Sequence, residues 1–130
     1  MKARIAIVAC LMLAACSAPA PGPDIDELAQ EYLFLELSMA LHDEAHVDAY
    51  FGPESYREVA KAEAMSLNDI DLASQDLTRR LEAVQTSDDD ILAMRVSGLI
   101  AMLVSLQTRK DINQGEYPSF DDEALALFGS

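Results

Sequence analysis

The chain is predicted to fold as an all-α protein, a helical array or bundle of about five helices. Three observations predict it. Apolar residues recur every three or four positions over most of the chain. Residues of the kind that cap helices stand just ahead of those runs. No useful stretch alternates apolar and polar residues with the period of a strand. The length of 130 residues fits one domain. A hydrophobic fraction of 51% excludes a disordered acidic tail. A net charge of −14 argues against nucleic-acid binding, which needs a basic patch to meet phosphates.

The first fifteen residues read as an address. Met1-Lys2-Ala3-Arg4 is a short positive region, and Ile5 to Ala15 is an apolar run. That run is shorter than the roughly 20 residues a spanning helix takes, and it suits a secretory signal peptide. It ends in Leu13-Ala14-Ala15-Cys16. This resembles the bacterial lipobox, in which a cysteine after two small residues receives a diacylglyceryl thioether. The resemblance implies cleavage before Cys16 and acylation of the new amino terminus. Ser17 stands where an aspartate would retain many lipoproteins at the inner membrane, so the resemblance implies an outer-membrane protein facing the periplasm. Residues 1–15 are thus expected to be a lipoprotein signal peptide. Residues 16–23 form the lipidated cysteine with a Pro/Ala tether, and residues 24–130 an acidic helical domain.

Cleavage would remove Lys2 and Arg4, leaving 7 of the 9 basic residues against all 23 acidic ones. Cys10 would leave with the signal and Cys16 would be alkylated, so no thiol remains for a disulfide, a metal or catalysis. One acyl chain holds a protein only marginally, at about 0.8 kcal/mol per buried CH₂, whereas two or three hold it durably. The acidic body gains nothing from anionic lipid, so attachment is expected to rest on the anchor.

Asp24 with Glu27 looks like a capping box opening a helix that runs to about Leu41. Its apolar residues Ile25, Leu28, Tyr32, Leu35 and Met39 share one face, while Leu33, Phe34, Leu37 and Leu41 fill others. Such a helix needs partners on two sides. Gly52-Pro53 breaks the chain, and Pro53 suits the first turn of a second helix carrying Val59, Ala60 and Met65. A third starts near Asp69 and places Ile70, Ala73, Leu77, Leu81 and Val84 at helical spacing. Ser87 with Asp90 predicts the start of the longest helix, to about Asp111. Its expected core face is Ile91, Leu92, Leu99, Ile100, Met102, Leu103 and Leu106. The apolar run Val96–Leu106 is too short for a bilayer, so a core helix is expected. Ser119 with Asp122 caps a last helix through Phe128, closed by Gly129.

Candidate chemistry is sparse. His42 and His46 are four apart and would lie on one helix face, where both could reach a zinc ion. The zinc-peptidase pattern needs glutamate directly after the first histidine, as general base. Asp43 stands there instead, and Glu44 comes one residue late. The plainer expectation is a solvated segment in which Asp43 caps a short helix through Phe51. Asp88-Asp89-Asp90 and Asp121-Asp122-Glu123 lack the alternating ligands and the glycine of a calcium loop, and both fall at helix starts, which favour carboxylates. There is no nucleophile elbow and no glycine-rich phosphate loop. Met39, Met65, Met94 and Met102 read as core filler. No cofactor is expected.

Leu37–Pro53 (LSMALHDEAHVDAYFGP) resembles the opening segment of a family of larger, metallopeptidase-like bacterial proteins. There a leucine-rich helix leads into Val-Asp-Ala-Tyr-Tyr-Gly-Pro, whose second tyrosine is Phe51 here. Ala93–Leu106 sits where that family has a long helix. Gly115 with Glu116–Gly129 (EYPSFDDEALALFG) is similar to a Ser-Phe-Asp-Glu-Glu core followed by Leu-Phe-Gly. The likeness covers most of residues 28–129, and only the amino-terminal part of the longer proteins. Their His-Glu…His-His motif lies further on and has no counterpart in this chain. The resemblance therefore implies a helical fold and no catalytic residue. It also implies a structural corner at Val47, Asp48, Tyr50, Gly52 and Pro53, with Tyr50 packed in the core and Gly52 at a glycine-only backbone angle. The expected function is a lipid-anchored, non-catalytic interaction domain of the cell envelope, with the membrane as partner through Cys16 and any protein partner unidentified. The alternative expectation is the amino-terminal domain of a metallopeptidase whose catalytic part lies outside this chain.

Overall fold

The structure is a computed structural model that describes residues 23–129. The expected signal peptide, Cys16 and nearly all of the tether lie outside the described residues. The described residues form five α-helices and no strand. These are α1 (Ile25–Met39), α2 (Glu54–Glu63), α3 (Leu67–Glu82), α4 (Asp90–Asn113) and α5 (Phe120–Phe128).

Helices α1, α3 and α4 pack on one another and enclose the core, while α2 rests on α1 and α5 rests on α4. Side-chain pairs give the directions. Glu31 meets Arg80, so α1 and α3 run oppositely; His42, just past α1, also reaches Met65, just before α3. Asp71 meets Lys110, and Ser74 meets Gln107, so α3 and α4 are antiparallel as well. The core joins Leu28, Leu35 and Met39 of α1 to Ile70, Leu77 and Leu81 of α3 and to Val96, Leu103 and Leu106 of α4. Leu37 is buried too, on the side away from that cluster, so α1 has the several partners its apolar surface demands.

The helix starts follow from local chemistry. The Asp24 carboxylate accepts from the Asp26 N–H at 2.9 Å; the expected box with Glu27 reduces to this one bond. Ser66 and Asp69 form a full capping box at α3, three residues before the predicted start near Asp69. At α4 the cap is Asp89 rather than Ser87, with its carboxylate 2.9 Å from the Leu92 N–H. Ser119 caps α5 as predicted, and Gly129 closes it in the left-handed conformation at φ 68°. Ala64 ends α2 in the same conformation, at φ 45°, which a side chain bearing Cβ enters only at a cost.

Several core expectations need correction. In α4 the buried stripe is Leu92, Val96, Leu99, Leu103 and Leu106, one heptad-like line. Ile91 lies off that line and is 72% exposed, and Met102 and Met94 are exposed with it. Leu41 lies beyond the end of α1 and is also exposed. Helix α4 as a whole is long and apolar enough to cross a membrane by length and composition, and only 17% of its most apolar 18-residue window is buried. Its inner stripe nonetheless belongs to the core. Asp26, Asp43 and Asp71 pair with its Arg95, Arg109 and Lys110, tying both ends to the rest of the fold.

Candidate functional site

The segment between α1 and α2, which carries the two histidines, is irregular. Neither the helical spacing of His42 and His46 nor the short helix through Phe51 forms. The turn bonds Leu41 N–H to Ser38 O and His42 N–H to Met39 O stop α1 first. Asp43 instead holds an Asx-type turn, accepting from the Ala45 N–H at 3.0 Å, and pairs with Arg109.

The two histidines have different partners. His42 Nε2 lies 2.7 Å from the Met65 carbonyl oxygen. It pins the end of α1 to the α2–α3 turn. His46 is nearly buried, and its Nε2 lies 2.6 Å from Glu36 Oε2. Burial, and then the neighbouring Glu36 carboxylate, push the Tyr32 hydroxyl well above its usual range. Tyr32, Glu36 and His46 thus form a polar cluster that holds the irregular segment against α1. Among the described residues, no three His, Cys, Asp or Glu side chains converge as metal ligands.

The corner residues also differ from expectation. Tyr50 is half-buried and lies outside the core cluster. Its hydroxyl donates to the Pro53 carbonyl at 3.2 Å, and Arg57 stacks 5.0 Å from the ring centre. Gly52 has no left-handed backbone. What it requires is space, because a Cβ there would collide with the Tyr50 hydroxyl and the adjoining edge of its ring. Pro53 caps α2 one residue before its first turn, and Asp48 is exposed. The corner is built by a ring folded over a glycine.

Sequence reasoning missed a groove between α1, α2 and α3, of about 750 Å³. Its floor includes Phe34, Leu35, Val59, Met65 and Leu77. Among the described residues, its rim carries Glu27, Glu31, Glu63 and Asp76 against one cation, Arg80. Arg80 is bound by Glu31 and Asp76, which hold its guanidinium above its ordinary range, Glu31 contributing most. Glu27 and Glu63 form no ion pair among the described residues, so the rim keeps a net negative charge. Gln30 donates to the Tyr56 hydroxyl at 3.0 Å and links α1 to α2 beside the opening. The only sequence signal for it was the apolar excess of α1, which Phe34 and Leu35 carry to the groove.

A second concavity, of about 450 Å³, lies between α4 and α5. Met102, Val104, Leu125 and Phe128 are among its walls, and among the described residues none that lines it is charged. Compared with known proteins, the chain matches no protein-family model, no curated protein and no solved structure.

Proposed function

We propose that this chain is a lipid-anchored, non-catalytic interaction domain of the cell envelope, attached through Cys16. In this reading it faces the periplasm from the outer membrane and takes a basic amphipathic peptide segment of a partner protein in the α1–α2–α3 groove. The observation that carries the reading is the groove itself, an apolar floor under a rim with two carboxylates, Glu27 and Glu63, that form no ion pair among the described residues. Apolar side chains of the partner fill the floor, and its lysines or arginines meet Glu27 and Glu63. Charge complementarity of this kind sets encounter rate and selects against acidic partners. The Leu13-Ala14-Ala15-Cys16 sequence supports the location.

The test is a titration of the full chain with a synthetic amphipathic Leu/Lys peptide at low and high salt. Binding should weaken with salt. It should also fall at least tenfold in Glu27→Lys/Glu63→Lys, with little change in Asp88→Lys/Asp121→Lys, which alters total charge equally away from the groove. Equal losses in the two double variants would reduce the effect to bulk charge and reject the groove.

A further inference from the structure

We propose that the outer face of α4 and α5 is a bilayer-contact surface that rests on zwitterionic phospholipid and orients the anchored domain. The proposal builds on attachment through Cys16 and adds a second point of contact. The surface is unlike the rest of this acidic chain. From Val96 to Thr108, α4 carries no charge, and the last five residues of α5, Ala124–Phe128, carry none either. Phe120 and Phe128 are 84% and 78% exposed, and Leu125, Met102 and Val104 are exposed around the uncharged concavity. Exposed apolar surface gathered in this way marks a contact site rather than ordinary surface scatter.

Reach and charge identify the occupant. Seven residues separate Cys16 from Asp24 and span at most about 25 Å fully extended. They join α1 at the end where Asp26 is paired with Arg95 of α4. An anchored chain therefore keeps the Arg95 end of α4 near lipid, with the Met102 and Val104 surface about two turns further along, at an effective concentration that a free partner does not reach. A second copy fits less well. A two-fold interface on this face would enclose the acidic first turns of two α5 helices, each with Asp121, Asp122 and Glu123, beside a concavity with no described basic residue to pair them. Those same carboxylates disfavour anionic headgroups and leave zwitterionic lipid as the surface that fits. Phenylalanine, leucine and methionine side chains enter the boundary between headgroups and acyl chains.

The chain has no tryptophan, so a single introduced one is an unambiguous reporter. Phe128→Trp reads the proposed face, and Phe51→Trp reads an exposed position on the α1–α2 corner. Each full-length protein is placed with phosphatidylcholine vesicles, with and without brominated lipid. The Phe128→Trp emission should shift to the blue and be quenched by bromolipid, and the shift should shrink when phosphatidylglycerol replaces part of the phosphatidylcholine. The Phe51→Trp emission should stay that of water-exposed indole. Leu125→Trp takes the place of Phe128→Trp if the latter does not fold. Mass spectrometry reads acylation of Cys16 separately, so loss of the anchor and loss of the face are distinguished. Water-like emission at both positions overturns the proposal. So does a concentration-dependent dimer that shifts Phe128→Trp without vesicles, which would make the face a self-interface.

Discussion

The two faces of α4 are similarly apolar and meet opposite fates. Leu92, Val96, Leu99, Leu103 and Leu106 point into the space shared with α1 and α3. Ile91, Met94, Met102 and Val104 remain on the surface, partly flanked by α5. Composition does not separate them; partners do. A 24-residue helix has room for one buried stripe against two neighbours, and the remaining apolar surface needs a third. Helix α5 has no buried residue and covers that surface only in part. The contrast teaches that apolar content measures what a helix could bury, while the neighbours decide what it does bury.

The sharpest way to break the comparison uses adjacent residues. Leu103→Asp should unfold the domain, since an unpaired buried charge costs several kcal/mol against a total stability of about 5–15 kcal/mol. Met102→Asp should move stability by no more than about 0.5 kcal/mol. Far-UV circular dichroism during thermal unfolding measures both. Equal losses would mean that α4 is closed on both sides.

The corner repeats the contrast at smaller scale. Gly52→Val should cost about 1–3 kcal/mol, because the new side chain collides with the Tyr50 ring. Tyr50→Ala should cost about 1–2 kcal/mol, the sum of one hydrogen bond and an exposed cation–π contact, rather than the roughly 3–5 kcal/mol of a core aromatic. Denaturant midpoints measure both variants, and a loss of about 3 kcal/mol or more in Tyr50→Ala would put Tyr50 in the core.

A smaller effect belongs to the start of α3. Ser66→Ala should cost about 1 kcal/mol through loss of the cap. The Ser66 hydroxyl and then its backbone N–H hold the Asp69 carboxyl below its ordinary value. A depressed carboxylate contributes stability above its unfolded pKa and loses it as pH falls through the folded one. The deficit of Ser66→Ala should therefore be full at neutral pH and narrow in acid below about pH 4. A deficit independent of pH would separate the cap from Asp69. The smallest expected change is a gain. Ala64→Gly should stabilise the domain by up to about 1 kcal/mol by relieving the left-handed turn after α2, read as a rise in melting temperature.

The helices were legible because their capping residues and apolar periods lie close together in sequence. Ser119, Asp122 and Gly129 bounded α5 without help from the rest of the chain. The start of α3 is equally local, and its signal is the pair Ser66 and Asp69 rather than Asp69 alone. The exposure of Ile91 and Met102 also left a trace. Arg95 lies one turn beyond Ile91 and is itself exposed, which marks their row as the outer one. The groove left almost none. It exists because α2 packs on α1 and leaves α3 uncovered beside it, and such a gap is a property of three helices together. His42 and His46 misled for a related reason: their spacing suited a helix, but the chain spends those residues reaching Met65 and Glu36.

Attachment at Cys16 is proposed, and both the proposed envelope function and the proposed orientation of α4 and α5 rest on it. Intact mass of the chain recovered from the membrane fraction tests it most directly. The expected mass begins at Cys16 and carries a diacylglyceryl group with a further acyl chain, and Cys16→Ser yields only uncleaved or soluble protein. A wild-type chain cleaved at another position and free of lipid would contradict the anchor.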